Sequence, residues 1–356
     1  MHTSCSIVRS AAAALGLAAV LSASQSFADD DIEERSFNIV GSWSVGTPYP
    51  RHEVPFWTKT LPEASGGRLS ATVQGFDQLG LGGPAVFEMV GQGVYDIGAS
   101  VIDYVSGDEP MLEGLDLPAV ADPQQAKKVL DAYRPHLEKA FEETYNAVFL
   151  ASIPQTPQVF FCNAEVNGLA DLSGKRIRGS GRMTMDFIAA VGGVGVSLAF
   201  NEMPVALDRG VVDCGVTGVL SGYTGGWSEV SSHLYMLPAG GWDHVAIVAN
   251  KDVWDSLNDA TRGLLRTEIE KMEANAWDAI RQETQEGIDC NTGGECAIGA
   301  AHSMVAAEVT AEDQASAIKL IEERVLPGWA ERCDESCVEN WNASIGQVLG
   351  ITAARQ

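Results

Sequence analysis

Gly93-Val94-Tyr95-Asp96-Ile97-Gly98-Ala99-Ser100 returns downstream as Gly210-Val211-Val212-Asp213-Cys214-Gly215-Val216-Thr217. Gly, Val, Asp and Gly keep their places, and a hydroxyl closes each copy. A repeated supersecondary unit implies repeated structure. Outward from the first copy, residues 37–42 read as a short apolar strand that runs into a Gly- and Pro-bearing loop over 44–50. Residues 55–64 read as a helix stopped at Gly66-Gly67, where glycine supplies the left-handed turn. Residues 69–73 alternate as a strand does, 84–91 are helical, and 94–99 form the next buried strand. Around the second copy the order is the same: a strand over 176–179, a helix over 183–191, a strand over 196–199, a helix over 202–208 and a strand over 211–216. This β-α-β-α-β order predicts an α/β chain of two similar lobes, each built on a parallel sheet with helices on its faces.

Between the units, residues 147–162 are extended and interrupted by Pro154 and Pro157, as expected of a chain passing from one lobe to the other. A strand over 244–250 passes back. Residues 259–288 follow as one long helix whose apolar positions Leu265, Ile269, Met272, Ala276 and Ile280 keep to one face. Further helices are expected over 313–326 and 338–349. The expected division is an export signal over 1–28, a first lobe from 29–154 with 245–258, and a second lobe from 155–244 with 289–330. The long helix over 259–288 then packs across both, and 331–356 form a C-terminal helical segment. Two or more crossings between lobes permit hinge closure about a cleft.

The first 28 residues carry one formal charge, Arg9, then an apolar run over 11–21, then Ser26-Phe27-Ala28 ahead of Asp29-Asp30-Asp31, the pattern of a cleaved export signal. The apolar run is shorter than the about 20 residues that span a bilayer. Cys5 precedes this run instead of ending it, which argues against a lipoprotein. The chain left after cleavage is expected outside the cytoplasm, in the periplasm. Without Arg9 its formal charge is 22 − 48 = −26, which excludes nucleic acid and anionic lipid as partners.

Six cysteines remain after cleavage: Cys162, Cys214, Cys290, Cys296, Cys333 and Cys337. An even number in an exported chain points to disulfides. Cys290 with Cys296 and Cys333 with Cys337 are close in sequence, which leaves Cys162 with Cys214. Zinc is the rival reading, but neither close pair has the two-residue spacing of a zinc knuckle and no histidine pair accompanies them. The sequence has no H-E-x-x-H, no P-loop and no G-x-S-x-G. Ser221 misses the spacing of a nucleophile elbow, and Gly192-Gly193-Val194-Gly195 follows a helix and opens a strand, the reverse of a dinucleotide loop. Gly179-Ser180-Gly181 opens a helix and suits an anionic group. No metal or cofactor is expected, and no catalysis; an exported enzyme, with Asp213 or Glu202 as acid–base group, is the lesser alternative.

Asp171-Leu172-Ser173-Gly174-Lys175-Arg176-Ile177-Arg178 resembles the "D-L-x-G-x-x-I-R" segment of the substrate-binding proteins of TRAP transporters, the DctP-type family. Three further segments are similar to that family. Gly66-Gly67-Arg68 with Gln78-Leu79-Gly80 matches "T-G-G-R … Q-L-G", with Ser65 for the threonine. Phe200-Asn201-Glu202 with Ala206-Leu207 and Gly210-Val211-Val212-Asp213 matches "F-x-E-V-x-x-A-L-x-x-G-V-V-D", with Met203 for the first valine. Val325-Leu326-Pro327-Gly328-Trp329 is similar to the C-terminal helical region. The four fall in order over nearly the whole mature chain. The resemblance implies a two-lobed periplasmic-binding-protein fold of the type II, Venus-flytrap kind with a long bracing helix. It implies a receptor that captures an organic acid and hands it to membrane permease subunits driven by an ion gradient; a receptor for an ATP-driven importer or a sensor is the alternative.

The resemblance places the ligand-carboxylate arginine on Arg178. A planar guanidinium matches two carboxylate oxygens, and a closed cleft screens the pair poorly. Arg176 shares the face of a regular strand with Arg178, so only the motif prefers the latter. The family's asparagine falls on Thr217, the matching loop of the first lobe on Ser100, the cleft aromatic on Phe200, and a second arginine of some members on Gln158. Trp43, Phe76, Tyr223 and Trp242 are further aromatics expected at the cleft. With the second arginine missing, they suggest a monocarboxylate with an apolar or aromatic body.

Overall fold

The computed structural model describes residues 1–2, 31–105, 107, 109–118, 120 and 122–355. Apart from Met1 and His2, the expected export segment lies outside the described residues. One sheet holds β1 (Arg35–Gly41), β2 (Leu69–Gly75), β3 (Ile97–Val101), β4 (Ala147–Ile153) and β10 (Val245–Asn250), in the order β2-β1-β3-β10-β4. The other holds β5 (Gln158–Cys162), β6 (Arg176–Arg178), β7 (Val194–Val196), β8 (Cys214–Gly218), β9 (His233–Tyr235) and β11 (Val305–Ala307), in the order β11-β9-β5-β8-β6-β7. The chain is two-lobed α/β, one sheet to each lobe.

The sheets are mixed where parallel ones were expected. β10 runs antiparallel to β3 and β4, and β5 runs antiparallel to β8 and β9. The reason is the route of the chain. It enters β5 and β10 from the opposite lobe, without a crossover helix, and so meets each sheet from the other end.

The repeated octapeptide has a shared structural job. Asp96 accepts a hydrogen bond from the Asn38 amide at 2.8 Å, while its own amide donates to the Asn38 carbonyl at 3.0 Å. Asp213 does the same with Arg176, at 2.8 Å in both directions. Each aspartate thus pins the entry of the third strand of its repeat to the first strand of that repeat, β1 or β6. Gly93 and Gly210 precede them at φ of 74° and 63°, the left-handed region that glycine reaches without strain. These turns delay the third strands to Ile97 and Cys214. By register, Val40 lies beside Gly98 and Arg178 beside Gly215, so the second lobe carries a guanidinium where the first carries an isopropyl group.

Two helices brace this frame. Pro123–Tyr145 occupies a stretch for which the sequence pattern gave no assignment. Asp122 caps it by accepting from the amides of Gln124 and Gln125, and Asn146 ends it in the left-handed conformation. Asp259–Thr292 outruns its expected end at 288. It is capped by Asn258, whose side chain accepts from the Thr261 amide, and it stops at left-handed Gly293. This helix packs on β4 of the first lobe and on Val219–Thr224 of the second, so it braces both.

The crossing segments travel together. The Gln155 amide donates to the Trp242 carbonyl at 2.9 Å, and the Ala239 amide donates to the Gln158 carbonyl at 2.9 Å. Three disulfides join Cys162 to Cys214, Cys290 to Cys296 and Cys333 to Cys337, the pairing that chain order suggested. The first ties neighbouring strands β5 and β8 in the second sheet.

Candidate functional site

The parallel strands of both lobes end at one cleft, of about 880 Å³, within the common range for small-molecule sites. From the first lobe it takes Trp43 after β1, Phe76 after β2 and Asp103 and Tyr104 after β3. From the second it takes Arg178 at the end of β6, the turn Gly179-Ser180-Gly181 with Arg182, and Ser197 to Asn201 after β7. Ligands of open α/β sheets bind outside the carboxyl ends of strands, and here two such ends face each other.

Arg178 is buried, with 3% of its surface exposed, and it lines the cleft. Its Nε donates to the Leu198 carbonyl at 3.0 Å and its Nη1 to the Val216 carbonyl at 2.8 Å. The guanidinium also lies over the Trp227 ring, 5.7 Å from its centroid. These contacts fix its plane. Burial pulls its pKa below the ordinary arginine value, and Tyr104, Asp243 and Asp103 oppose that pull. Among the described residues no carboxylate forms an ion pair with it. Arg176 is exposed and paired with Asp213 at 2.7 Å, so depth separates two arginines that strand alternation cannot.

Aromatic rings form the opposite wall. Trp43 meets Phe76 edge-on with centroids 4.7 Å apart, and Phe200 from the other lobe at 5.7 Å. The Trp43 indole N–H donates to the Tyr104 hydroxyl at 2.9 Å. Burial pushes the Tyr104 phenol up to about 12, so it enters the cleft as a neutral hydroxyl.

At the floor of the cleft Asp103, which lines it, comes together with Asp116 and Asp243, all buried, each offering an oxygen within 4.8 Å of the others. Burial, joined by the neighbouring Asp116 and Asp243, holds the Asp103 carboxyl well above the usual range. Burial raises Asp116 to about 6, and burial with Asp116 raises Asp243 to about 7. A hydrogen-bonded chain leads from here to the second lobe. Ser180 donates to Gln158 at 2.7 Å, Gln158 to Asp116 at 3.3 Å, Gln155 to Asp243 at 3.1 Å, and Ser221 to Gln155 at 2.7 Å.

The family model described as "Bacterial extracellular solute-binding protein, family 7", DctP, matches residues 41–319. The chain belongs to this family. No curated protein sequence matches it. Solved structures similar to this DctP-family chain include DctP7 of Bordetella pertussis, described as an extracytoplasmic solute receptor binding pyroglutamic acid. It is 21% identical, with a TM-score of 0.74, over 87% of this chain and 99% of that one. A marine-metagenome TRAP solute-binding protein with co-purified pyroglutamate is 18% identical, with a TM-score of 0.76, over 90% and 100%. A TRAP periplasmic solute-binding protein of Desulfovibrio salexigens with bound orotic acid is 18% identical, with a TM-score of 0.76, over 88% and 99%. At these identities the likeness is one of fold.

Of the residues expected at the site, this DctP-family chain brings Arg178, Trp43, Phe76 and Phe200 to the cleft wall. The other five lie elsewhere. Ser100 is buried one layer behind, its hydroxyl donating to the Gly83 carbonyl at 2.9 Å. Thr217 is buried in β8 beside Val159. Gln158 is buried in the hydrogen-bonded chain beneath the cleft. Tyr223 reaches away to the Ala300 carbonyl at 3.0 Å. Trp242 spends its indole N–H on the Val120 carbonyl at 2.7 Å. Of the two acid–base candidates, Asp213 is held by Arg176, and Glu202 accepts from the Ala199 amide at 3.0 Å; neither lines the cleft. Ser180 belongs to the Gly179-Ser180-Gly181 turn that the sequence offered to an anionic group, and it lines the cleft; Asp103, Tyr104 and Arg182 were not anticipated. Asp103 and Tyr104 follow the third strand of the first lobe, and that position was the available signal.

Proposed function

We propose that this chain is the substrate-binding component of a TRAP transporter, and that its cleft closes on a small organic acid whose carboxylate pairs with Arg178. The observation that carries this reading is the guanidinium itself: buried at the junction of two lobes, locked by two backbone carbonyls, and turned into a cleft with no ion-pair partner among the described residues. Burying such a charge is costly unless an anion joins it. The match to an extracellular solute-binding family supports the reading, as do similar structures described with pyroglutamate, orotate and malonate. Trp43, Phe76 and Phe200 then cover the apolar body of the acid, and Tyr104, Ser180 and Arg182 offer polar contacts at its rim.

The partners in this reading are membrane permease subunits and the setting is the periplasm; no helix among the described residues is long and apolar enough to cross a membrane. A thermal-shift panel of carboxylates, including pyroglutamate, orotate, malonate and hexuronates, tests it. The wild type gains stability with at least one acid, because a ligand at about 100 times its Kd adds about 2.7 kcal/mol. Arg178→Ala loses about 2–5 kcal/mol of that acid's binding energy, and Arg178→Lys recovers only part, since a point charge cannot make the bidentate pair. An Arg178→Ala protein that binds the acid as the wild type does would remove the anchor from this reading.

A further inference from the structure

We infer that the acid captured in this cleft carries a hydrogen-bond donor, a hydroxyl or an amide N–H, beside its carboxylate, and that Ser180 reads this donor as an acceptor. This rests on the proposed acid receptor and narrows the class of acid it takes. Ser180 lines the cleft in the turn after β6, two residues past Arg178, so the two Cα atoms are at most about 7 Å apart. Its hydroxyl donates to Gln158 Oε1 at 2.7 Å. The direction of that bond is set from the other end of the amide. Gln158 Nε2 donates to Asp116 Oδ2 at 3.3 Å, and Oδ1 of the same carboxylate accepts from the Asp243 amide at 3.2 Å. Burial raises Asp116 to about 6, so at neutral pH it is ionised and can only accept. Turning the Gln158 amide over would set its oxygen against that carboxylate, acceptor against acceptor. Gly240 packs on the amide so closely that a side chain there would collide with it, which holds the group in place. A serine hydroxyl has a single proton, and Ser180 spends it on Gln158. The Thr184 hydroxyl, 3.3 Å from Ser180, occupies at most one of the two lone pairs. What Ser180 offers the cleft is therefore a lone pair.

The groups that meet the carboxylate have the opposite polarity. Arg178 spends Nε and one Nη1 hydrogen on the Leu198 and Val216 carbonyls and keeps its remaining N–H groups for the ligand. Tyr104 accepts from the Trp43 indole at 2.9 Å, so its own proton remains to donate. A plain carboxylate satisfies Arg178 and Tyr104 but meets Ser180 acceptor to acceptor. An acid with an O–H or N–H beside its carboxylate satisfies all three. A site that pairs with such a group rejects the analogue without it more strongly than apolar contacts reject a change of size, because a polar group is left unpaired.

The test is calorimetric titration of the mature protein with pairs of acids that differ in the donor. Pyroglutamate is set against the lactone acid with oxygen in place of its N–H, and orotate against the derivative methylated on the ring nitrogen beside its carboxylate. Lactate and mandelate are set against their O-methyl ethers. In any pair that binds, the donor-bearing member should bind about tenfold more tightly. Ser180→Ala should bring that pair to within about threefold, by weakening the donor-bearing acid; Ser180→Gly serves if the alanine protein does not fold. Equal affinities within a binding pair overturn the inference. A preference for the donor that survives loss of the Ser180 hydroxyl overturns it as well, as does binding of malonate where no donor-bearing acid binds. In each of these cases the acid receptor itself stands. If no acid of either kind binds, the receptor falls and the inference with it.

Discussion

Glu53 shows how one buried carboxyl sets a pH response. It is fully buried, and both its oxygens face Ser42: the Ser42 amide donates to Oε2 at 3.0 Å and the hydroxyl to Oε1. Burial raises its pKa from 4.5 to about 7, and the Ser42 hydrogen bonds only partly offset this. The folded state therefore binds the proton more tightly than the unfolded state does. The stabilisation is complete below about pH 4.5 and is lost as pH rises through about 7, an effect on the order of 3 kcal/mol. Glu53→Gln removes this dependence. Urea unfolding at pH 5 and pH 8 should show the variant gaining on the wild type at the higher pH; a gap that stays constant would reject the assignment. Residue-level legibility differed across the site. Arg178 stood in a motif, and Trp43, Phe76 and Phe200 each followed or flanked a readable strand. Ser100 and Thr217 were placed by analogy of position; both are buried, and neither lines the cleft. The aspartate cluster was not readable at all. Its members lie far apart in the chain, and no local pattern links Asp103 to Asp243.

At the scale of elements, the repeated Gly-Val-x-Asp stretch was legible because it encodes a local device, a left-handed turn followed by an aspartate that pins two strands. Sheet direction was not legible in β5 and β10, since it depends on which lobe the chain arrives from and not on the strand's own residues. Pro123–Tyr145 did carry a signal, Asp122 before Pro123 at the helix start, but Pro135 inside it breaks the usual rule for helix interiors. The disulfides allow a comparison between elements. Cys162–Cys214 closes a sequence separation of 52 and Cys290–Cys296 one of 6. Chain-entropy arguments assign the first about 4 kcal/mol and the second about 2 kcal/mol. Denaturant titration of Cys162→Ala/Cys214→Ala should therefore show about twice the loss of Cys290→Ala/Cys296→Ala. Equal losses would mean that native-state packing, not chain entropy, governs these bonds.

For the whole molecule, the division into two lobes was the most legible property, and their coupling the least. Three connections hold the lobes: the paired crossing segments, the helix Asp259–Thr292 against both, and the C-terminal turns, where 321–325 pack on Arg182–Ala190 and 342–346 on Pro123–Tyr145. The long helix, at about 1.5 Å per residue, runs about 50 Å. With so much shared structure, neither lobe keeps its core when the other melts. Scanning calorimetry of the protein without added acid should show one transition, with calorimetric and van't Hoff enthalpies in agreement. Two resolved peaks would show that the lobes are independent. The paired crossings also restrict how the lobes move. Two segments lying side by side resist swivelling but bend together, as a door hung at two points swings where a ball joint would wander. The mouth then travels along a single arc, and each incoming guest is met by the same two walls in the same alignment.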